Sequence, residues 1–284
     1  MSGQARQLDA DLSFTGHDFE AVRTTLHATA GITLDADKRD LVYARLARRL
    51  RALRMTAFSD YMVLVNSPRG AEERVHFINA LTTNLTAFFR EPHHFDFLAG
   101  RLLPEVLRRH AADRPVRIWS AGCSTGEEPY SIAMVAQEVL ASAAGLAPEI
   151  LATDLDSSVI ASARQGRYAR ERIAGLSAQR SRKWFRPLPG SGGGTVEVKH
   201  ELRKTVTFRQ LNLMHDWPVQ GPFELIFCRN VVIYFDRPTR QRLLERFADC
   251  LCDGGYLFLG RSEVMYDPAG RFEPVGPAVY RKPG

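Results

Sequence analysis

The sequence predicts an α/β protein in which a helical N-terminal part precedes a parallel sheet covered by helices. Three observations support this prediction. Residues 1–85 show helical periodicity and no strand pattern. From residue 116 onward, short apolar runs alternate with amphipathic runs, which is typical of strands and helices in a parallel sheet. The glycine-rich stretch 187–194 interrupts the alternation and predicts a small antiparallel insertion.

Composition favours a globular protein of two domains. The chain has 284 residues, of which 45% are hydrophobic and 25% are charged, an ordinary balance for such proteins. No apolar run approaches the roughly 20 residues of a membrane span, and the N-terminus lacks a signal-peptide core. The four scattered cysteines have no Cys-x-x-Cys spacing, which predicts reduced thiols in the cytoplasm. We therefore expect a cytoplasmic protein without membrane insertion or a metal site, and the net charge of +6 indicates an anionic partner.

Four helices are predicted in the N-terminal part, over residues 17–29, 36–54, 57–66 and 70–82. The second of them is amphipathic, and Asp35 is its expected N-cap. Its apolar stripe consists of Val42, Leu46, Leu50 and Leu53, and its opposite side carries Lys38, Arg45, Arg48, Arg49 and Arg51. The basic side is either a solvated face or a docking surface for nucleic acid, anionic lipid or an acidic protein helix.

A hinge around residues 82–92 leads into the second part of the chain. Helices are predicted there over 93–110, 128–142, 157–164 and 238–251. Strands are predicted over 116–121, 149–153, 206–211, 223–227 and 255–260. The stretch Thr195–Leu202 alternates like a strand with two different faces, so we expect an antiparallel β-subdomain over about 180–212.

The stretch Arg117–Ser131 indicates a ligand site, because it reads as a strand, a loop of small residues and a helix start. Gly122 and its small neighbours let a ligand approach the backbone closely. Glu127, Glu128 and Pro129 suit the first turn of a helix. Such a loop, at the carboxyl end of a strand in an open α/β sheet, is where nucleotide-like ligands bind.

Polar residues follow three other predicted strands. Asp154 is placed to accept hydrogen bonds from ribose hydroxyls, while Asp156 suits the N-cap of the next helix. Asn212 suits an adenine edge or a structural turn. Arg229 and Asn230 lie at the next strand exit. Because Asp154 lies about 30 residues after the glycine loop, rather than the roughly 20 of a dinucleotide fingerprint, a single-nucleoside cofactor such as S-adenosylmethionine is favoured.

Four motifs together resemble the chemotaxis-receptor glutamate methyltransferase (CheR) family. They are Asn84–Glu91, Ser124–Ser131, Ala152–Asp154 and Phe227–Phe235, and Asp37–Tyr43 resembles the basic helix of that family. The resemblance covers roughly residues 15–280. It implies a Rossmann-like methyltransferase domain over 96–284, a linker over 86–95 and a helical receptor-recognition domain over 1–85.

The resemblance also implies a reaction and several roles. The family transfers a methyl group from S-adenosylmethionine to glutamates of chemoreceptors, and S-adenosylhomocysteine is the product. The receptor's methylation region would be recognised by Lys38, Arg45, Arg48 and Arg51, and a receptor C-terminal tail could add a strand to the β-subdomain. The cofactor would be bound by Asn84, Thr86, Arg90, Gly122, Glu128, Asp154, Asn212, Leu213, Arg229 and Asn230.

The chemistry of a glutamate acceptor needs no strong base, because a carboxyl with a pKa of about 4.3 is already ionised near neutral pH. Arg90 is the candidate to hold the acceptor carboxylate through its planar fork, unless it makes a structural ion pair. Tyr234 is the candidate to orient the carboxylate by hydrogen bonding, unless it is a packed aromatic. His93 and His94 are expected to serve the helix start or ion pairs instead of acting as bases.

Two other classes of protein fit parts of the sequence. A nucleic-acid methyltransferase would share the cofactor site and use the basic helix on phosphates. Amino-directed members of that class carry Asp/Asn-Pro-Pro-aromatic at the fourth strand exit, where this chain has Arg229-Asn230-Val231-Val232. A non-catalytic binding module would have a decayed cofactor loop, whereas the loop here is intact. We therefore expect an enzyme that does not act on nucleic acid, and a monomer.

Overall fold

The computed structural model describes residues 12–109, 114–140, 148–219, 221–267 and 269–284. The chain forms two units. A helical unit comprises the chain through Thr83 together with Tyr234–Asp236, and a larger unit comprises Asn84–Ile233 and Arg237–Gly284. The predicted fold class is confirmed, because the larger unit contains a seven-stranded sheet and a small antiparallel sheet.

The described part of the helical unit contains four α-helices: α1 (Gly16–Ala30), α2 (Arg39–Leu53), α3 (Phe58–Asn66) and α4 (Ala71–Leu81). All four were predicted, although α2 begins three residues late because Ala36–Lys38 form a 3₁₀ turn. The Asp35 prediction is wrong, since its side chain makes no capping hydrogen bond. The best-formed cap is instead at Thr15, whose hydroxyl and the Asp18 carboxylate cap the start of α1 reciprocally.

The basic helix α2 packs through a shorter apolar stripe than predicted. Val42, Leu46 and Leu50 are buried, whereas Leu53 is 38% exposed at the helix end. On the opposite side, Arg45 donates two hydrogen bonds from Nη1, of 3.0 and 2.9 Å, to the backbone carbonyls of residues 81 and 82 at the end of α4. Part of the predicted basic face is therefore used to cap another helix.

The strands of the larger unit, in chain order, are β1 (Val116–Ala121), β2 (Pro148–Asp154), β3 (Arg167–Ala169), β4 (Phe185–Pro187), β5 (Thr195–Val198), β6 (Val206–Gln210), β7 (Phe223–Cys228), β8 (Leu251–Leu259), β9 (Glu273–Gly276) and β10 (Val279–Arg281). The main sheet has the order β6-β2-β1-β7-β8-β10-β9. Its first five strands are parallel, and β10 and β9 add an antiparallel edge. Because β1 lies between β2 and β7, the strand order reverses there, which is where open α/β sheets bind ligands.

Seven helices accompany these sheets in the described part of the larger unit: α5 (Pro92–Phe97), α6 (Leu103–Arg109), α7 (Glu127–Leu140), α8 (Ser157–Gln165), α9 (Ala178–Trp184), α10 (His200–Arg203) and α11 (Arg237–Cys250). The helix predicted over 93–110 is interrupted by a π-helical turn at Leu98–Leu102. Helix α7 packs on β2, α8 on β2 and β6, and α11 on β8. In the sheet core, the rings of Phe227 and Phe258 stack at 4.1 Å between centroids.

The small antiparallel sheet has the order β3-β5-β4. The prediction of a strand through residue 202 is wrong, because β5 ends at Val198 and residues 200–203 form helix α10. The sheet is centred on Glu197, a buried carboxylate that pairs with Arg167, Arg186 and Arg203. Among the described residues, no helix combines the length and the apolar character needed to cross a bilayer.

Candidate active site

The carboxyl ends of β1, β2 and β7 bring the predicted site segments to one edge of the main sheet. The small-residue loop follows β1, Asp154 ends β2, and Arg229 and Asn230 follow β7. These three strands are neighbours and parallel, so their exits are adjacent. Periodicity and parallel topology thus place together residues that lie up to about a hundred positions apart in the sequence.

The small-residue loop is tied to the end of β2. The backbone N–H groups of Gly122 and Cys123 donate to the Thr153 carbonyl at 2.8 and 2.9 Å. Gly122 has a φ of +91°, and a Cβ there would lie 2.3 Å from Cγ2 of Val231. Only glycine fits here, because any larger side chain would clash with Val231, which follows β7. The loop is therefore held between the ends of two neighbouring strands of β1, which are β2 and β7.

Asp154 holds the loop through its side chain. Oδ2 accepts a 2.8 Å hydrogen bond from the Ser124 N–H, and Oδ1 accepts a 2.9 Å bond from the Asp156 N–H. Burial raises the pKa of this carboxyl to about 6, although the backbone donors favour its ionised form. The prediction that Asp156 caps α8 is confirmed, since its side chain accepts from the N–H groups of residues 158 and 159.

Glu128 lies in the first turn of α7, next to the end of β1. Its Oε1 accepts a 2.8 Å hydrogen bond from the Ser120 hydroxyl, and its Oε2 accepts a 3.1 Å bond from Arg229 Nη1. Burial raises the pKa of Glu128, and the positive charge of Arg229 opposes that effect. The neighbouring Glu127 is fully buried and accepts hydrogen bonds from Thr125 and Arg172, so it serves the structure of the loop.

Arg229 is a buried cation with three acceptors. Its side chain is 1% exposed. Besides Glu128, it contacts Glu91 Oε2 at 3.2 Å and donates a 2.5 Å hydrogen bond to the Arg90 carbonyl. Burial opposes ionisation of Glu91, yet Arg229 lowers the pKa of this carboxyl below its usual range. The Arg229 guanidinium therefore joins the exit of β7 to the starts of α7 and α5.

The motif Asn84–Glu91 lies against the same loop. The Asn84 side chain donates a 2.8 Å hydrogen bond to Asp156, and the Asn84 carbonyl accepts a 3.0 Å bond from the Ser124 hydroxyl. Phe89 and Glu91 have φ values of +54° and +58°, which are uncommon for residues with a Cβ. Backbone strain of this kind concentrates at functional sites.

Arg90 lies between these two strained residues. Its Nη1 donates a 2.8 Å hydrogen bond to the Leu85 carbonyl, and the side chain is partly exposed. Thr86 is held through its backbone carbonyl, which accepts a 3.1 Å hydrogen bond from Arg172. The structure therefore brings Asn84, Thr86 and Arg90 together with the loop after β1.

Asn212 and Leu213 follow β6. Of the two interpretations of Asn212, the structure shows the turn, because Oδ1 accepts a 2.9 Å hydrogen bond from the Met214 N–H. The Leu213 carbonyl accepts hydrogen bonds from Trp217 and Arg246. The Leu211 N–H donates to the Asp154 carbonyl at 2.9 Å, which ties this turn to the end of β2.

Tyr234 ends a 3₁₀ turn and belongs to the helical unit, where its carbonyl accepts a 2.8 Å hydrogen bond from the Thr33 N–H. Its catalytic role stays a prediction. His94 is fully buried, and its Nε2 bonds to the Pro277 carbonyl at 3.0 Å. Burial lowers the pKa of His94 to about 4, so the ring is neutral near pH 7.

Three residues next to the ion pairs of Arg229 have a spacing that could suit a metal ion. Ligand atoms of Glu91, His93 and His94 lie within 4.8 Å of one another. Glu91 already pairs with Arg229, whose fixed charge disfavours a second cation at the same carboxylate. The two histidines lie in the first turn of α5, so the cluster fits the helix-start role expected for them.

Sequence reasoning does not find Glu263, although this residue holds the exit of β7. Glu263 is buried, and its Oε2 accepts hydrogen bonds from the N–H groups of Asn230 and Gly260 at 2.8 and 2.5 Å. Asn230 has a φ of +59°, a conformation that this bond helps to fix. One sequence signal exists, since Glu263 is an acid shortly after an apolar strand, as Asp154 is.

Arg172 and Tyr168 were also missed. Both lie in the segment of the small antiparallel sheet, and the Tyr168 hydroxyl donates a 2.7 Å hydrogen bond to the Thr125 carbonyl. Arg172 joins the Thr86 carbonyl to the Glu127 carboxylate. Their partners are backbone groups and an acid far away in sequence, so no local pattern predicts them.

Comparison with known proteins gives a consistent result. The profile described as "CheR methyltransferase, SAM binding domain" matches residues 84–280, and that described as "CheR methyltransferase, all-alpha domain" matches residues 17–82. Chemotaxis protein methyltransferase 2 of Pseudomonas aeruginosa is 45% identical over 95% of this chain and 94% of its own. The chemotaxis protein methyltransferase of Escherichia coli is 43% identical over 96% of this chain and 93% of its own.

The residues at the strand exits fit S-adenosylmethionine, the cofactor of the matched domain. Asp154 accepts hydrogen bonds from the backbone N–H groups of Ser124, Leu155 and Asp156, and Glu128 accepts one bond at each oxygen. At least one lone pair of each ionised carboxylate therefore remains for hydroxyl or ammonium donors. Two carboxylates also complement a cofactor that carries positive charge. The chemistry of the donor set therefore agrees with the matched domain.

The pKa of Asp154 generates a testable prediction. If ionised Asp154 accepts hydrogen bonds from the ribose, affinity for S-adenosylhomocysteine should fall as pH drops through about 6. Between pH 8 and pH 5 the affinity should fall about tenfold, because at pH 5 only about one molecule in ten has Asp154 ionised. Calorimetric titration at several pH values measures this. Asp154→Asn should bind more weakly at pH 8 and lose little more at pH 5, whereas a pH-independent wild type would exclude the ribose role.

Proposed function

The chain belongs to the CheR methyltransferase family, and on that premise we propose that it methylates glutamate carboxylates of chemoreceptors, giving methyl esters and S-adenosylhomocysteine. It is an S-adenosylmethionine-dependent methyltransferase. The observation that carries the proposal is the extent of the match. Relatives named chemotaxis protein methyltransferases align over 93–94% of their own lengths, across both the helical and the sheet-containing parts.

A carboxylate acceptor agrees with the proton chemistry of the site. Burial raises the pKa of the thiols of Cys123 and Cys228 and of the Tyr168 hydroxyl, so none of them is ionised near neutral pH. His94 is a weak base, because burial lowers its pKa to about 4. A glutamate needs no deprotonation at pH 7, so these groups need not accept a proton from it.

When bound, the cofactor would supply an electrophilic methyl group on its sulfonium, which an ionised glutamate carboxylate could accept while the sulfur leaves as a neutral thioether. The protein contributes position and exclusion of water. Asp154 would hold the ribose hydroxyls and Glu128 the amino group. The remaining cofactor contacts would come from Asn84, Thr86, Arg90, Gly122, Asn212, Leu213, Arg229 and Asn230.

Arg90 and Tyr234 are proposed to act on the acceptor. Among the described contacts, the Arg90 side chain donates one hydrogen bond, to the Leu85 carbonyl, so other N–H groups of its fork remain for a carboxylate. Tyr234 would orient that carboxylate through its hydroxyl. Neither role needs a change in protonation.

Receptor recognition is proposed for the basic face of α2, within an N-terminal domain over 1–85. The described side chains of Arg48 and Arg51 are exposed and make no hydrogen bond or ion pair with another described residue. By contrast, Arg45 caps α4 and Lys38 pairs with Asp37. Arg48 and Arg51 are therefore the positions of α2 from which an acidic receptor helix would gain most.

The remaining assignments extend this proposal. The methyltransferase domain would span residues 96–284, and the linker over 86–95 would contribute Arg90 to the site. In the three-stranded sheet, β3 and β4 are edge strands, so a receptor tail peptide could add a strand there, on a subdomain first expected over about 180–212. A cytoplasmic monomer would meet the cytoplasmic part of its receptor.

The reaction is tested with labelled S-adenosylmethionine and three acceptors: a chemoreceptor cytoplasmic fragment, duplex DNA and RNA. We expect label only in the receptor fragment, released as methanol at alkaline pH, because carboxyl methyl esters hydrolyse in base. Replacing the methylated glutamates by alanine should abolish labelling. Label in nucleic acid, with none in the receptor, would overturn the proposal.

The basic face is tested by Arg48→Glu and Arg51→Glu, singly and together. The double variant should raise the receptor KM by about tenfold, through loss of attraction and new repulsion, while affinity for S-adenosylhomocysteine stays constant. Arg69→Glu is the matched control, because Arg69 is an exposed arginine of the same unit outside α2. Equal KM values for the double variant and wild type would mean that α2 presents only a solvated face.

A further inference from the structure

Two loops of the larger unit are joined through one buried carboxylate. Glu263 is 4% exposed, and it accepts hydrogen bonds from the N–H groups of Asn230 and Ile233, after β7, and of Gly260, after β8. The bond lengths are 2.8, 3.2 and 2.5 Å. A carboxylate that accepts three backbone N–H groups fixes the two loops relative to each other.

These fixed loops expose large apolar side chains. Val264 is 75% exposed, Ile233 is 41% exposed and Tyr266 is 37% exposed. Within the described part of the larger unit, Leu85 is the only other large apolar side chain exposed to this degree. Single exposed apolar residues need no explanation, but a concentration on two rigidly joined loops indicates a contact surface.

Arginines accompany the apolar residues. The Arg237 guanidinium lies 3.8 Å from the ring centroid of Tyr266, and Arg261 is exposed between Gly260 and Glu263. We call Ile233, Val264, Tyr266 and Arg237 the loop patch. Apolar side chains beside arginines complement a surface that combines apolar residues with carboxylates.

The loop patch also adjoins the site. Asn230 is a proposed cofactor contact, and its N–H donates a hydrogen bond to Glu263. Ile233 follows Asn230 by three residues. A partner bound on the patch would therefore lie beside the exit of β7, where the methyl group is to be transferred. An amphipathic helix with glutamates next to its apolar stripe has both the chemistry and the shape for this position.

We propose that the loop patch docks the receptor helix that carries the acceptor glutamate, with Val264 and Ile233 on its apolar stripe and Arg237 beside its carboxylates. The inference rests on the proposed function, and it adds a second receptor contact to the basic face of α2. The two contacts would have different roles. The basic face of α2 would recognise the charge of the receptor, and the loop patch would set which turn of the receptor helix meets the cofactor.

The test measures methylation of a receptor cytoplasmic fragment by Val264→Asp and Ile233→Asp. Each should raise the receptor KM by about tenfold, because an apolar contact is lost and a carboxylate faces glutamates. Affinity for S-adenosylhomocysteine should stay unchanged in both variants, and the melting temperature of Val264→Asp should stay unchanged because Val264 is 75% exposed. Val63→Asp is the matched control, because Val63 is 72% exposed on α3 in the helical unit.

The outcomes separate this inference from the proposed function. If wild type does not methylate receptor glutamates, the proposed function fails and the docking inference fails with it. If wild type methylates the receptor and both loop variants keep its KM, only the docking inference is overturned. A KM that rises equally in Val63→Asp and Val264→Asp would also overturn it, because the effect would then be general.

Discussion

The site depends on one buried cation. Arg229 is 1% exposed and needs compensating acceptors, because an unpaired charge in the interior costs several kcal/mol. It finds them in Glu128, Glu91 and the Arg90 carbonyl, which belong to α7, the start of α5 and the strained motif before α5. Satisfying this single charge therefore fixes two segments that are distant in sequence, residues 90–91 and the start of α7, around the exit of β7.

That arrangement also sets the electrostatics at the strand exits. Burial raises the pKa of both Asp154 and Glu128, and the positive charge of Arg229 and backbone donors favour the ionised forms. The result is a pair of carboxylates with free lone pairs at the point where the sheet order reverses. Such a site complements a cationic cofactor, and with the proposed carboxylate acceptor, which needs no base, binding and positioning would account for the chemistry.

Periodicity predicted most of the fold, because buried strands and amphipathic helices leave a local pattern in the sequence. The short strands β9 and β10 leave none, and the alternation at 195–202 ends early because α10 begins at His200. Asp154, Glu128 and Arg229 could be predicted as site residues because each lies at or just after the end of a predicted strand. Glu263, Arg172 and Tyr168 could not be predicted in this way. They form hydrogen bonds with backbone groups of segments that are distant in sequence and that come close only in the folded chain.

The most direct test of the central claim is calorimetric binding of S-adenosylhomocysteine to Arg229→Lys. Lysine keeps the charge but concentrates its donors on one atom, so it cannot reach all three acceptors at once. Arg74→Lys is the control, because Arg74 also donates to two backbone carbonyls but lies in the helical unit. We expect Arg229→Lys to bind at least about tenfold more weakly and Arg74→Lys to match wild type. Wild-type affinity in Arg229→Lys would contradict the account.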